Sequence, residues 1–369
     1  MSWTGSKINR RDMFRLFYGI AATFAAAHFW PMNWAVASGN PSIKKSSFPK
    51  PNSIDVHHHL VPDYYRKALS ALNIKTSAGF PLPAWSPLQS QRLMNNLEIR
   101  TAILSISSPG IHFGDDAAAR DISRQSNEYC ARLISDNPSR FGAFAVLPLP
   151  DVNGSLKEAE YALDTLKLDG VVMLASHSDG TFLGDKKYDD LLAELDKRKT
   201  VVFIHPTTHP TSKELQLNIP EGIIEFPFDT SRAAFNLVWT GAAERYSNIR
   251  YILSHAGGTV PFLAWRFSLL EYDYRFRKRA PLGPMAYLKS FYYDLALSAN
   301  PYALRSLQEL VGPEQVLYGS DNPFANSYLV ANGIDFIKKY DGYSEEDRKL
   351  IFRSNALKLF PRLQRLAES

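Results

Sequence analysis

From residue 53 onward, eight short runs rich in β-branched and aromatic residues recur, and segments of helical period separate most of them. The runs are SIDVHHH (53–59), TAILSIS (101–107), FGAFAVL (141–147), DGVVMLA (169–175), TVVFIHP (200–206), IRYILSH (249–255), FYYDLAL (291–297) and QVLYGSD (315–321). Between them lie helical patterns such as SNEYCARLISD (126–136), LKEAEYALDTLK (156–167) and KYDDLLAELDKR (187–198). The runs are nearly continuous in apolar residues, as strands covered on both faces must be. Eight such units in about 300 residues predict an α/β fold, a (β/α)8 TIM barrel over residues 54–369. An open doubly wound sheet is the alternative, but no Gly-rich phosphate loop follows the first run.

The segment before the first run has a different character. NRRDMFRLFYGIAATFAAAHFWPMNWAVA starts basic, continues modestly apolar and closes on Ala35-Val36-Ala37, an A-x-A-like cleavage signature. The pair Arg10-Arg11 resembles a twin-arginine export signal, although Met13 stands where Phe is usual. Residues 1–37 are therefore expected to be an export leader and residues 38–53, SGNPSIKKSSFPKPNS, a linker. The protein would then be periplasmic or secreted; if the segment is a retained amphipathic helix, it would be cytoplasmic. Arg15 and His28 make the run too polar for a stable membrane span. Lys7, Arg10, Arg11 and Arg15 against Asp12 carry three of the five net positive charges, so the folded part holds no basic excess that would point to nucleic acid. A single cysteine, Cys130, excludes an intrachain disulfide and a Cys-based zinc site.

In this type of barrel the reactive groups gather where the strands end. His57 and His59 end the first run, His205 the fifth, His255 the sixth and Asp321 the eighth. Side chains alternate along a strand, so His57 and His59 share a face and His58 takes the other. Four of these, the His57 and His59 pair with His205 and Asp321, offer nitrogen and oxygen donors without sulfur, which suit a divalent ion such as Zn²⁺, or Mn²⁺ or Fe²⁺, with an open position left for substrate.

The order H-x-H, FIHP, SHAGG, GSDNPF resembles the amidohydrolase superfamily, in its aminocarboxymuconate-semialdehyde decarboxylase branch. Within that branch, IDVHHHLVPDYY, GFPLPAWS, AILSISSPG and GSDNPF are similar to 6-methylsalicylate decarboxylase-like proteins. The resemblance spans residues 54 to 360, about the whole of the expected mature chain. It implies the barrel of the metal-dependent hydrolases, with His57, His59, His205 and Asp321 as metal ligands and His255 as the acid/base. It also implies that Arg266, in SHAGGTVPFLAWR, reaches the substrate carboxylate of the other subunit in a homodimer. Hydrolytic relatives bridge two metals with a fourth-strand lysine; DGVVMLAS has none, so one ion is implied, zinc first and manganese second. The implied reaction is non-oxidative loss of CO2 from a small salicylate-type or unsaturated carboxylic acid. The proton that replaces CO2 would come from His255 or Asp321, a choice the residues leave open.

Each of these residues also has an ordinary reading. His255 alone would be a core histidine, and Gly257-Gly258 a close turn. His209, in HPTTHP, competes with His205 but falls past the strand end. His112 and His177 follow the second and fourth runs and fit loops as well as a pocket wall. Trp85 and Phe324 are candidates to pack on a planar substrate, although most aromatics serve the core. Two rival functions use the same frame: metal-assisted hydrolysis of a lactone, ester or amide, and a binding protein that has kept the barrel. The complete His/Asp set argues against the latter.

Overall fold

The computed structural model describes residues 52–215 and 218–368; the expected leader and all but the last two residues of the expected linker lie outside them. Each apolar run forms one strand of a single parallel sheet. The strands are β1 (Ser53–His59), β2 (Ile99–Ser105), β3 (Phe141–Val146), β4 (Gly170–Leu174), β5 (Val201–His205), β6 (Arg250–Leu253), β7 (Tyr292–Asp294) and β8 (Val316–Leu317), and they pair in chain order. Helices follow them: α1 (Pro87–Asn96), α2 (Asp116–Asp136), α3 (Val152–Glu160), α4 (Asp189–Lys197), α5 (Glu221–Trp239), α6 (Val260–Ser268), α7 (Pro301–Leu310) and α8 (Ser327–Lys339). Several start where the sequence supplies a cap. Ser86 accepts from Gln89 N ahead of Pro87, Asp115 from Ala117 N and Ala118 N, and Asn300 from Tyr302 N and Ala303 N.

The sheet closes on itself by backbone bonds between β1 and the chain that continues β8. Val56 N donates to the Tyr318 carbonyl (3.0 Å), Asp321 N to the His57 carbonyl (2.8 Å) and His59 N to the Asn322 carbonyl (2.7 Å). The two backbones come so close that a Cβ at residue 319 would stand 2.7 Å from the Cβ of His57; Gly319 has none. Inside the barrel Phe144 stacks on Phe203, with centroids 5.2 Å apart, and Phe203 meets the His57 ring edge-on at 4.9 Å. Phe203 is fully buried and forms an apolar floor beneath the histidines, a placement worth roughly 1.5–3 kcal/mol.

The later strands stop sooner than their composition suggests. β6 ends at Leu253 and β8 at Leu317, so His255 and Asp321 lie past the ends of the regular strands. Both have left-handed backbones, φ 55° and 60°, as does Ala256 at 56°. An extended ladder cannot include such residues. The turn after His255 is equally tight, for a Cβ at Gly258 would lie 2.0 Å from the Pro227 carbonyl oxygen of α5. Among the described residues no helix is long and apolar enough to cross a membrane.

Candidate metal centre

The first strand departs from a regular pleat in one place. Asp55 pairs with Ala102 and His58 with Leu104, so β1 carries one residue more than β2 over that stretch, a β-bulge. The bulge lets Asp55 and His58 meet: His58 Nδ1 lies 2.9 Å from Asp55 Oδ2, and Nε2 lies 2.9 Å from Ser90 Oγ. His58 thus turns away, as alternation requires, while His57 and His59 turn inward together.

His57, His59, His205, His255 and Asp321 gather at the strand ends, all of them buried. One donor atom each from His57, His205, His255 and Asp321 lies within 4.8 Å of the other three. His59 joins them through its Nε2, 3.0 Å from His57 Nε2 and 3.0 Å from Asp321 Oδ1. That Asp321 oxygen is buried, yet it accepts no well-directed hydrogen bond. The atoms face a shared point rather than one another.

The other ring nitrogen separates the histidines by role. His57 Nδ1 lies 3.0 Å from Asp294 Oδ2, and His205 Nδ1 donates to the Pro206 carbonyl at 2.8 Å. His59 Nδ1 faces the Ser105 hydroxyl at 2.9 Å and the Ser105 carbonyl at 3.3 Å, and only an N–H satisfies a carbonyl. These three rings carry their proton on Nδ1 and aim an Nε2 lone pair inward, the form in which imidazole binds a metal. His255 differs. Its Nδ1 is buried without a partner, and its Nε2 is 3.3 Å from Asp321 Oδ2.

With Nδ1 protonated on both, the Nε2 atoms of His57 and His59 would set lone pair against lone pair at 3.0 Å. A cation between them removes the repulsion, since donors each about 2.0–2.2 Å from one ion lie close together. Without a cation, a proton takes its place. Burial pushes His57 down, but Asp294 and then Asp321 overcome it and hold its pKa at about 10. Burial lowers His59, and burial with the neighbouring imidazoles puts His205 well below the usual histidine range. Burial works to raise the Asp321 carboxyl, but the neighbouring His255 and His57 hold it well below the ordinary carboxylate range. Two neutral imidazoles and a carboxylate are what a divalent cation requires.

The remaining candidates fall in different places. The Phe324 ring meets His59 edge-on, centroids 5.7 Å apart, at the side of the cluster. Trp85 is buried behind His58, its indole N–H donated to Ser90 Oγ (2.9 Å) and its ring against Tyr129. His209 stacks on Phe182 and donates to the Gly180 carbonyl, away from the cluster. His112 lies against Asp116 and Ser178, and His177 against Tyr188. Arg266 is exposed on α6 beside Phe262 (83% exposed) and Trp265 (76%), with no ion pair or hydrogen bond among the described residues.

One residue the sequence reading did not single out is central. Asp294 ends β7, fully buried. Its Oδ2 holds the His57 ring, and its Oδ1 accepts from His255 N (3.2 Å) and Ala296 N (2.9 Å). A signal was present: in FYYDLAL an aspartate interrupts an apolar strand, as Asp321 does in QVLYGSD.

The amidohydrolase family model matches residues 54–362. Decarboxylase yanB of Aspergillus niger is 38% identical to the chain over 85% of its length and 89% of the relative's. The 6-methylsalicylic acid decarboxylase of Penicillium expansum is 35% identical over 84% of the chain and 97% of the relative. Among solved structures, a dihydroxybenzoic acid decarboxylase from a Polaromonas species, with bound manganese and the inhibitor 2-nitroresorcinol, superposes with a TM-score of 0.73. It covers 84% of this chain and 97% of its own and is 21% identical, a likeness of fold.

Asp294→Asn keeps the size of the side chain but removes the charge beside His57. It should weaken divalent-metal binding about 10–100-fold, as loss of a ligand's hydrogen-bond partner does. Chelator competition on folded protein measures this, and unchanged affinity would remove Asp294 from the centre.

Proposed function

Because the chain belongs to the amidohydrolase family and is a carboxy-lyase within it, we propose that it releases CO2 from a salicylate-type aromatic acid at one divalent ion held by His57, His59, His205 and Asp321. The observation that carries the reading is the meeting of inward Nε2 atoms 3.0 Å apart on rings whose Nδ1 atoms are engaged elsewhere. Zinc is proposed as the ion, and manganese, present in the Polaromonas relative, fits the same donors. Relatives that carry decarboxylase names favour this reaction over hydrolysis of a lactone, ester or amide.

The ion would supply a Lewis acid for the substrate's carboxylate and phenolate oxygens and so orient the ring. The protein's own residues do the rest. Phe324, beside His59, offers an aromatic edge to the flat substrate. His255 delivers a proton from Nε2 to the ring carbon that bears the carboxylate. The C–C bond then breaks, its electron pair restores the aromatic ring, and CO2 leaves. His255 suits this task because its Nδ1 has no hydrogen-bond partner, unlike those of the three proposed ligand rings, and its Nε2 faces Asp321 Oδ2 at 3.3 Å. His255 and Asp321 thus act as one proton-handling pair, with Asp321 also a ligand. His255→Asn should keep its metal and lose turnover by roughly 10²–10⁴-fold. Metal lost from this variant, measured by elemental analysis, would make His255 a ligand instead.

The surface of α6 supports a homodimer. Phe262 and Trp265 on α6, with Leu269 (50% exposed) and Tyr272 (85%) just after it, leave large apolar side chains exposed in the same stretch as Arg266, whose side chain has no ion pair among the described residues. A surface like this marks an interface, and a planar guanidinium matches a carboxylate with two hydrogen bonds. Arg266 is proposed to reach the substrate carboxylate in the other subunit. Co-refolding inactive His255→Asn with inactive Arg266→Ala subunits should restore part of the activity through heterodimers that hold one complete site. No recovery in a mixture shown to contain heterodimers would place Arg266 in its own subunit or in the scaffold.

Residues 1–37 are proposed as a twin-arginine leader, a route that exports proteins already folded. In a bacterial host with that pathway, the protein should fractionate outside the cytoplasm, and Arg10→Lys with Arg11→Lys should retain it inside. Wild-type protein found only in the cytoplasm would end the proposal.

A further inference from the structure

His58 faces away from the cluster, yet both of its ring nitrogens are engaged, and the proton on each bond can be assigned. Trp85 Nε1 can only donate, so Ser90 Oγ accepts from it at 2.9 Å. The Ser90 hydroxyl proton is then left for His58 Nε2 at 2.9 Å. With Nε2 accepting, Nδ1 carries the ring proton and donates to Asp55 Oδ2, 2.9 Å away. The other oxygen, Asp55 Oδ1, accepts from Ser320 N at 3.0 Å and from His57 N at 3.1 Å. Asp55, His58 and Ser90 are fully buried and Trp85 is 7% exposed, so water does not readily replace any of these partners.

The chain therefore runs in one direction, Trp85 to Ser90 to His58 to Asp55. It ends on two backbone N–H groups, one of His57 and one of the residue before Asp321. Those residues stand on the first and last strands, across the seam where the barrel closes. A single carboxylate holds the backbone at two cluster residues, and its orientation depends on a histidine whose ring faces neither of their side chains.

We propose that Ser90 and His58 are positioning residues of the metal centre, setting through Asp55 the separation of His57 and Asp321. The inference rests on the reading that those two residues bind the ion. Loss of the Ser90 hydroxyl leaves His58 Nε2 a buried acceptor without a donor. The ring then turns or changes tautomer to find one, and the Asp55 clamp loosens. The Trp85 N–H feeds only the far side of Ser90, so its removal leaves the clamp intact.

The test measures zinc affinity of the full chain by chelator competition, normalised to the folded fraction from circular dichroism. Ser90→Ala should bind zinc about 10–100-fold more weakly, and Trp85→Phe within about twofold of wild type. His58→Asn presents an amide N–H to Asp55 where Nδ1–H stood, so it should bind zinc more tightly than His58→Leu. Folded Ser90→Ala with wild-type affinity would overturn the proposal. A loss in Trp85→Phe equal to that in Ser90→Ala would also overturn it, since packing rather than the hydrogen-bond chain would then be at work. If Ser90→Ala does not fold, the two His58 variants decide, and equal affinities refute the clamp. Absence of zinc binding by wild type would refute the metal centre itself, a separate result.

Discussion

The two oxygens of Asp294 hold the centre together. One holds the ring of His57, and the other accepts from the backbone N–H of His255, whose left-handed backbone is uncommon for residues other than glycine. A proposed ligand and a proposed proton carrier are therefore oriented by a single buried carboxylate, itself placed by the end of β7. The cost of burying that charge is offset locally by the imidazole and by two peptide N–H donors. Phe203 below and the bulge in β1 make the arrangement rigid. The floor stops His57 from sinking into the barrel, and the bulge fixes which way each residue of the His57-His58-His59 triplet points.

Much of the fold was legible in the sequence, because a strand buried on both faces has to be apolar along its length and eight such runs have few ways to pair. The first strand agrees with its run at both ends. The others were read too long at their C-terminal ends. The reason is specific: His255 and Asp321 carry extended-looking neighbours, but their own φ angles are positive, and composition does not encode the sign of φ for residues other than glycine. The glycines at 257, 258 and 319 were the visible trace of these close approaches.

The cluster itself was legible because its members are histidines and an aspartate at strand ends, types that seldom stand there without a reason. The residues supporting them were not, since Asp55, Ser90, Ser105 and Asp294 act through hydrogen bonds to histidine rings or to the backbone. Asp55 is in a strand and Ser90 in a helix 35 positions later, and the chain between them gives no hint that a histidine joins them. Trp85 carries a second tie that composition does not show. An aromatic residue that sequence alone offers to the substrate has its polar edge committed to Ser90.

The seam between β1 and the end of β8 has a consequence for how the protein comes to be active. Asp55 and Ser320, the two sides of that seam, are 265 residues apart in the chain. Contacts of such range form late, because loop-closure entropy opposes them until the intervening units are in place. A chain still emerging from the ribosome presents the proposed ligands His57, His59 and His205 before Asp321, and so an incomplete proposed set. High-affinity capture of the proposed ion would then be a record that the last strand has met the first. Because a ligand bound only by the closed form stabilises it, such an ion would act as a latch on the join that completes the barrel.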